Sequence, residues 1–168
     1  MFREVQADAM IRLADAADAE RIGDLWAEMV AYHAALDSQT FRPAEGGAER
    51  YARGILDRLG DSDARVLVAE IDGEVVGYVN GVIADITTEL FMPLRCGLLA
   101  DIYLQAAYRR RGLGKQLVER LMLWFRSRGV NHFEWHVSAG NHEALAFWQA
   151  IGGETTMLRM RASIPEVD

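Results

Sequence analysis

Residues 98–128 read LLADIYLQAAYRRRGLGKQLVERLMLWFRSR, and this stretch decides the fold. An apolar run, Leu98-Leu99-Ala100-Asp101-Ile102-Tyr103-Leu104, leads into Arg109-Arg110-Arg111-Gly112-Leu113-Gly114-Lys115, and an amphipathic helix follows. The order strand, basic glycine turn, helix start aims several backbone N–H groups and the positive end of a helix at one point, which is what a phosphate needs. Arg109, Arg110, Arg111 and Lys115 supply charge of the matching sign, and Gly112 and Gly114 let a ligand approach the backbone closely. Two familiar phosphate loops fail on spelling. A dinucleotide fingerprint requires glycine where the chain has Leu117; a Walker loop requires glycine at Arg109 and Ser or Thr at Gln116.

Working outward, Leu113, Leu117, Val118, Leu121, Met122 and Phe125 mark the apolar face of the helix, and Gly129 is placed to end it. Residues 133–137, Phe-Glu-Trp-His-Val, read as a strand, residues 143–151 as another helix, and residues 155–162 as a strand that closes the sheet. Upstream, residues 10–13 form a short alternating strand. Asp15 and Asp18 are capping residues for a helix carrying Ile22, Leu25, Trp26, Met29 and Val30 at helical spacing. A loop around Phe41-Arg42-Pro43 and Gly46-Gly47 separates it from a shorter helix marked by Tyr51, Ile55 and Leu59. Residues 65–71 and 74–79 are β-rich runs joined by Asp72-Gly73, a type I′ hairpin signal. Residues 84–96 read as an irregular connection. The sum is a single α/β domain over residues 1–168, with a mixed, mostly antiparallel central sheet flanked by helices.

Composition fits one compact globular domain. The chain has 168 residues, 51% hydrophobic and 26% charged, enough to bury one sizeable core. Its net charge of −7 argues against non-specific nucleic-acid binding and is compatible with a cationic acceptor. Arg95 and Asp101 interrupt the longest apolar candidate, so no membrane span is expected, and Met1-Phe2-Arg3-Glu4 leads into no signal-peptide core. The one cysteine, Cys96, excludes an internal disulfide and a cysteine zinc site and reads as a packed thiol. A cytoplasmic setting is the expectation.

The spelling that does fit is Arg109-x-x-Gly112-x-Gly114, and from Asn141 the chain continues NHEALAFWQAIGGE. Together these resemble the two cofactor motifs of the GNAT N-acetyltransferases, and with the N-terminal pattern the resemblance covers nearly the whole chain. It implies the acyl-CoA N-acyltransferase fold and acetyl-CoA as acyl donor. The acceptor would be a small-molecule or protein amine; neither a metal nor nucleic acid is needed, and homodimers are common. In that family the turn holds the pyrophosphate, which here implies Arg109, Arg110, Arg111, Gly112, Leu113, Gly114 and Lys115. Asn141 matches the residue that bonds the pantetheine arm, and is a good N-cap in its own right. The cofactor cleft lies between two splayed strands, here residues 98–104 and 133–137, with backbone near Leu104 orienting the thioester carbonyl.

The chemistry needs a base for the amine and a proton for the departing thiolate. The family often takes the acid from a tyrosine in the second-motif helix, where this chain has Trp148, which the resemblance places among the cofactor-binding residues and whose indole N–H is a donor but no acid at neutral pH. Gly153 is a second departure, standing where phenylalanine is common. This leaves a non-catalytic acyl-CoA binding or sensing module as the alternative function; a nucleotide-binding protein is disfavoured by spelling. Asp101, a charge in an apolar strand, is the candidate base, with an ion pair to an arginine as the competing role. Tyr103 is a candidate acid or substrate contact, or a sheet-face tyrosine. His132, Glu134 and His136 alternate along one strand, a polar stripe rather than a metal site, with His136 a lesser candidate base. Tyr32 and His33 sit where an acceptor pocket would be lined.

Overall fold

A computed structural model describes residues 9–87 and 89–165. The stretch Met1-Phe2-Arg3-Glu4, read above for a signal core, lies outside them. The elements run β1 (Ala9–Leu13), α1 (Ala19–Leu36), α2 (Gly47–Leu59), β2 (Ala64–Ile71), β3 (Glu74–Asp85), β4 (Arg95–Leu104), α3 (Leu113–Ser127), β5 (Phe133–Glu134) and α4 (His142–Ala150). The strands form one sheet in sequence order, antiparallel from β1 to β4, with β5 added parallel to β4. Among the described residues, no helix is long and apolar enough to cross a membrane.

Local chemistry explains the elements. Asp15 accepts from the Ala17 N–H at 2.8 Å, and the Asp18 carboxylate bonds back to the Asp15 N–H, so the two aspartates cap the short 3-10 turn leading into α1. Arg12 then locks Asp18 to Glu70 with contacts of 2.7 Å to each, holding the Asp18 carboxyl below its usual range. The β2–β3 turn has φ of 52° at Asp72 and 82° at Gly73, both positive as a type I′ turn requires.

The sheet separates two apolar layers. On one face, α1 and α2 bring Ile22, Leu25 and Ile55 against Val66, Val68 and Tyr78. On the other, α3 brings Leu117, Val118, Leu121 and Phe125 against Leu67, Val79 and Leu99. Trp124 is buried and Met122 is 41% exposed, reversing the expectation for Met122. At about 100° per residue, Trp124 falls about 60° from the Leu121 direction and Met122 about 100° away, off the stripe.

Two further expectations are corrected at the C-terminal end. The strand expected over residues 133–137 is a ladder of only two residues, because the chain leaves β4 at Trp135, whose ring packs on Trp148 at a centroid distance of 4.4 Å. Residues 155–162 form no strand: with β5 so short, they have no ladder to join within the chain. The irregular connection is shorter than expected, since β3 reaches Asp85 and β4 begins at Arg95.

Where α3 crosses the sheet, glycine is a steric requirement. A Cβ on Gly97 would sit 2.7 Å from the Phe125 ring. Gly97→Val is therefore expected to destabilise by about 1–3 kcal/mol through overpacking, read as a lower urea midpoint at unchanged m.

Candidate functional site

The turn after β4 is built to leave N–H groups free. Arg110 has φ of 62° and Gly112 φ of 81°, and Gly112 is the N-cap of α3 without a side-chain cap bond. The first backbone bond into the helix is from Gln116 to Gly112 at 3.0 Å, so the N–H groups of Leu113, Gly114 and Lys115 have no partner among the described residues. Gly114 is not demanded by the fold: a Cβ there would meet Phe147 at 3.7 Å, an ordinary contact. Leu113 is buried and pins the turn to the core.

The turn's side chains divide by role. Arg109 donates from Nε to the Leu104 carbonyl at 2.8 Å and from Nη1 to Glu143 at 3.1 Å, tying β4 to the first turn of α4. Its guanidinium also lies 5.6 Å from the ring centroids of both Tyr32 and Tyr103. Arg111 lies over Tyr108, and Lys115 pairs with Glu119 one helical turn on, while Arg110 makes no ion pair among the described residues.

β4 supplies the backbone of the site. It is laddered to β3 from Arg95 to Leu104, but to β5 only at Gly97 and Leu98. Gln105 donates its N–H to Val76 of β3, so by strand alternation Leu104 N–H points away from β3, to the side its carbonyl shares with Arg109. A groove of about 350 Å³ lined by Ile11, Leu67, Arg120 and Trp124 lies at the opposite, β1 edge of the sheet and contains none of these groups.

Asp101 sits where the β3–β4 register breaks, opposite Asn80. It faces α2 and accepts from the Tyr51 hydroxyl at 2.8 Å; Asn80 Nδ2 approaches the same hydroxyl at 3.5 Å. Tyr51 is held by stacking on Trp26 at 5.2 Å. Among the described residues no arginine pairs with Asp101; its partner there is the Tyr51 hydroxyl. Burial raises the Asp101 carboxyl above its usual range, opposed by the Tyr51 bond and the charges of Arg58 and His33. Two buried polar atoms beside it, Tyr78 Oη and Asn80 Oδ1, have no partner among the described residues.

Tyr103 points to the same face, donating to Glu28 at 3.3 Å, and burial followed by the Glu28 charge pushes its hydroxyl up. Glu28 also receives both contacts of the Gln105 amide, at 3.0 and 3.1 Å. Asn141 caps α4 by accepting from Ala144 N–H at 3.1 Å, and it meets Tyr32 at 3.5 Å and His33 at 3.4 Å. α1 and α4 thus converge beside the turn. Trp148 lies in the core between Trp135 and Phe147 rather than among these polar groups. His136 is exposed on the segment beyond β5, and no group of three or more His, Cys, Asp or Glu that could hold a metal occurs among the described residues. Cys96 is buried, with burial raising its thiol.

Tyr51, Asn80 and Glu28 are the site residues the sequence reading missed. Tyr51 was indistinguishable from the apolar stripe of α2. Asn80, an amide in the valine-rich β3, was the available signal.

The profile of the acetyltransferase (GNAT) family matches residues 27–152. The chain belongs to this acetyltransferase family. No curated protein sequence matches it. Among solved structures, a mutant of the BH1408 protein of Bacillus halodurans is similar at 18% identity and a TM-score of 0.82, covering 93% of this chain and 99% of that one. The aminoglycoside N-acetyltransferase AAC(6')-Iy in complex with CoA is similar at 18% identity and a TM-score of 0.72, covering 97% and 99%. The aminoglycoside 6'-N-acetyltransferase AAC(6')-Ig of Acinetobacter haemolyticus follows at 17% and 0.71, covering 95% and 99%. At these identities the likeness is one of fold, and it confirms the mixed α/β GNAT architecture.

The raised Asp101 carboxyl has a thermodynamic consequence. The native state keeps this proton over a range in which the unfolded chain, near the ordinary value of about 3.9, has lost it. Stability therefore falls as pH rises through that range. Asp101→Asn removes the effect. Its urea midpoint is expected to gain on the wild type progressively as pH rises above about 4, then to hold a constant advantage at neutral pH. A midpoint difference independent of pH would show Asp101 to be unperturbed.

Proposed function

We propose that this chain moves an acetyl group from acetyl-CoA directly to a primary amine. The observation that carries the reading is the row of unpartnered N–H groups at Leu113, Gly114 and Lys115, which follows a strand whose second edge is unladdered beyond Leu98. Gly112 holds a left-handed conformation and Gly114 lacks a side chain the fold would tolerate. A pyrophosphate against this backbone accounts for both glycines, with Arg110, Arg111 and Lys115 adding positive charge. The residues present therefore fit acetyl-CoA, and Leu104 N–H, on the open side of β4, is the donor that would orient and polarise the thioester carbonyl.

On the α1–α2 face, Asp101 is the base. The amine nitrogen attacks the carbonyl carbon, the carbon–sulfur bond breaks, and the amine proton passes to the carboxylate. Burial moves Asp101 toward neutrality, the direction that suits a general base, while Tyr51 keeps one oxygen occupied and the carboxylate oriented. Trp148, stacked in the core, provides no proton, so the thiolate is protonated by solvent or by Tyr103. Glu28 offers a carboxylate, partly exposed, beside Tyr103 for a cationic acceptor. The named substrates of the aminoglycoside acetyltransferases sharing this fold are small cationic amines, which supports that acceptor class.

The buried Trp148 also favours a second reading, a non-catalytic acyl-CoA binding or sensing module. Acetyl-CoA titration followed by a thiol-release assay over amine acceptors separates the two, since a sensor binds and releases no thiol.

Gly112→Glu places a like charge against phosphate and strains a left-handed position. With charge-assisted hydrogen bonds contributing about 1.5–3 kcal/mol each, loss of one or more raises the Kd for acetyl-CoA by about tenfold or more. An unchanged Kd would remove the turn from the site. Asp101→Asn is expected to lower kcat by about 10²–10⁴-fold while sparing that Kd. In Tyr51→Phe the acidic limb of the kcat/KM profile should shift to higher pH, because the bond that holds the Asp101 carboxyl down is lost.

A further inference from the structure

α3 packs on the sheet with one stripe and turns a second toward the β1 edge. Leu117, Leu121 and Phe125 form the packed stripe. Arg120, Leu123, Trp124 and Ser127, at i, i+3, i+4 and i+7, form the second and line the groove of about 350 Å³. The floor of the groove comes from β1 and β2. Leu13 is the cross-strand partner of Leu67, so both side chains lie on the α3 face, and Arg65 joins them by strand alternation. β1 is the edge strand, at the margin of the α3 layer, so Leu13 stays 55% exposed and Leu123 60%.

Charge in this groove is one-sided. Three arginines, Arg12, Arg65 and Arg120, line it and no carboxylate does, in a chain of net charge −7. Arg12 is engaged by Asp18 and Glu70, whereas Arg65 and Arg120 make no ion pair among the described residues. The Arg65 guanidinium lies over the Trp124 ring, 5.2 Å from its centroid. Trp124 is only 8% exposed, and its indole N–H and Arg65 Nε are buried donors without a partner among the described residues. A buried donor left so is costly, and two of them beside one groove call for an acceptor there.

The rest of the groove decides what carries that acceptor. A guanidinium fork and an indole N–H match a carboxylate. Leu13, Leu67 and Leu123 offer nothing to hydrogen-bond, so the body behind the carboxylate is apolar. The volume is roughly twice that of a cavity of ~150 Å³ that holds benzene, which suits a tail of several carbons.

We propose that this groove binds a free carboxylic acid with an apolar tail of medium length, its carboxylate held by Arg65 and Arg120 and its tail lying along Leu13, Leu67 and Leu123. The site is separate from the turn at the start of α3, and the assignment does not rest on the acetyl-transfer reading.

The test is calorimetric titration of the full chain with sodium octanoate, with acetate and octanol supplying the charge and the tail alone. One octanoate per chain is expected. Acetate and octanol should each bind at least about tenfold more weakly, the loss of a charge-assisted bond or of about two buried CH₂ groups. Arg120→Ala and Leu123→Asp replace exposed side chains of α3. Each should weaken octanoate by about tenfold or more with circular dichroism unchanged. In a proton–nitrogen correlation spectrum, the indole N–H peak that Trp124→Phe removes should shift with octanoate and not with octanol. No saturable binding of octanoate, octanol or inorganic phosphate binding as tightly, variants that bind as the wild type does, or an indole peak that stays in place would each overturn the proposal.

Discussion

β4 is the strand on which the rest depends, because its two edges have different partners. On one side it is laddered to β3 along its length; on the other it meets β5 for two residues and is then free. Unpaired backbone groups in a folded domain must find a partner or face water. Here they lie one 3-10 turn upstream of the free N–H groups of α3. The free edge and the free helix terminus are successive parts of one chain segment, so a ligand bonding to both needs no moving part.

The two faces of the sheet divide the work. α3 and its leucines fill one face with apolar packing that fixes where the turn begins. The α1–α2 face carries polar groups inward: Asp101 and Tyr103 from β4, Asn80 from β3, Tyr51 and Glu28 from the helices. Asn80 and Asp101 are direct cross-strand partners and so face the same helix, and the register break beyond them sends Leu99 to the α3 side instead of leaving it on the face of Asp101. Arg109 links this face to α4 through Leu104 and Glu143, so the strand end and the second motif helix are held at one spacing.

The sequence made the local chemistry legible and the long-range pairing less so. The Asp72-Gly73 turn, the Gly112 cap and the Asn141 cap are decided by residues a few positions apart, and each stands as its spelling implies. Whether residues 133–137 stay in the ladder depends on Trp135 finding Trp148, a contact no periodicity reveals. Residues 155–162 are held instead by Arg161 at Asp37 and Thr40, a contact across more than 120 positions that no local pattern reveals. Asp101 was visible as a charge in an apolar strand, but its partner was not, because a tyrosine on an apolar helix stripe looks the same whether its hydroxyl meets solvent or a carboxylate.

That partnership bears on why the cluster exists. A half-buried carboxylate with one tyrosine bond, beside an amide oxygen and a phenol that have no partner among the described residues, is a poor way to stabilise a sheet. Desolvating such groups without full pairing costs about 1–3 kcal/mol each, and Val or Leu at Asp101 and Asn80 would extend the surrounding core. The arrangement gives a carboxylate whose proton affinity is raised by burial and held in check by Tyr51, with Trp26 keeping that tyrosine in place. A packing role requires neither the raised affinity nor the restraint, and that is the physical ground on which the base is proposed to be Asp101.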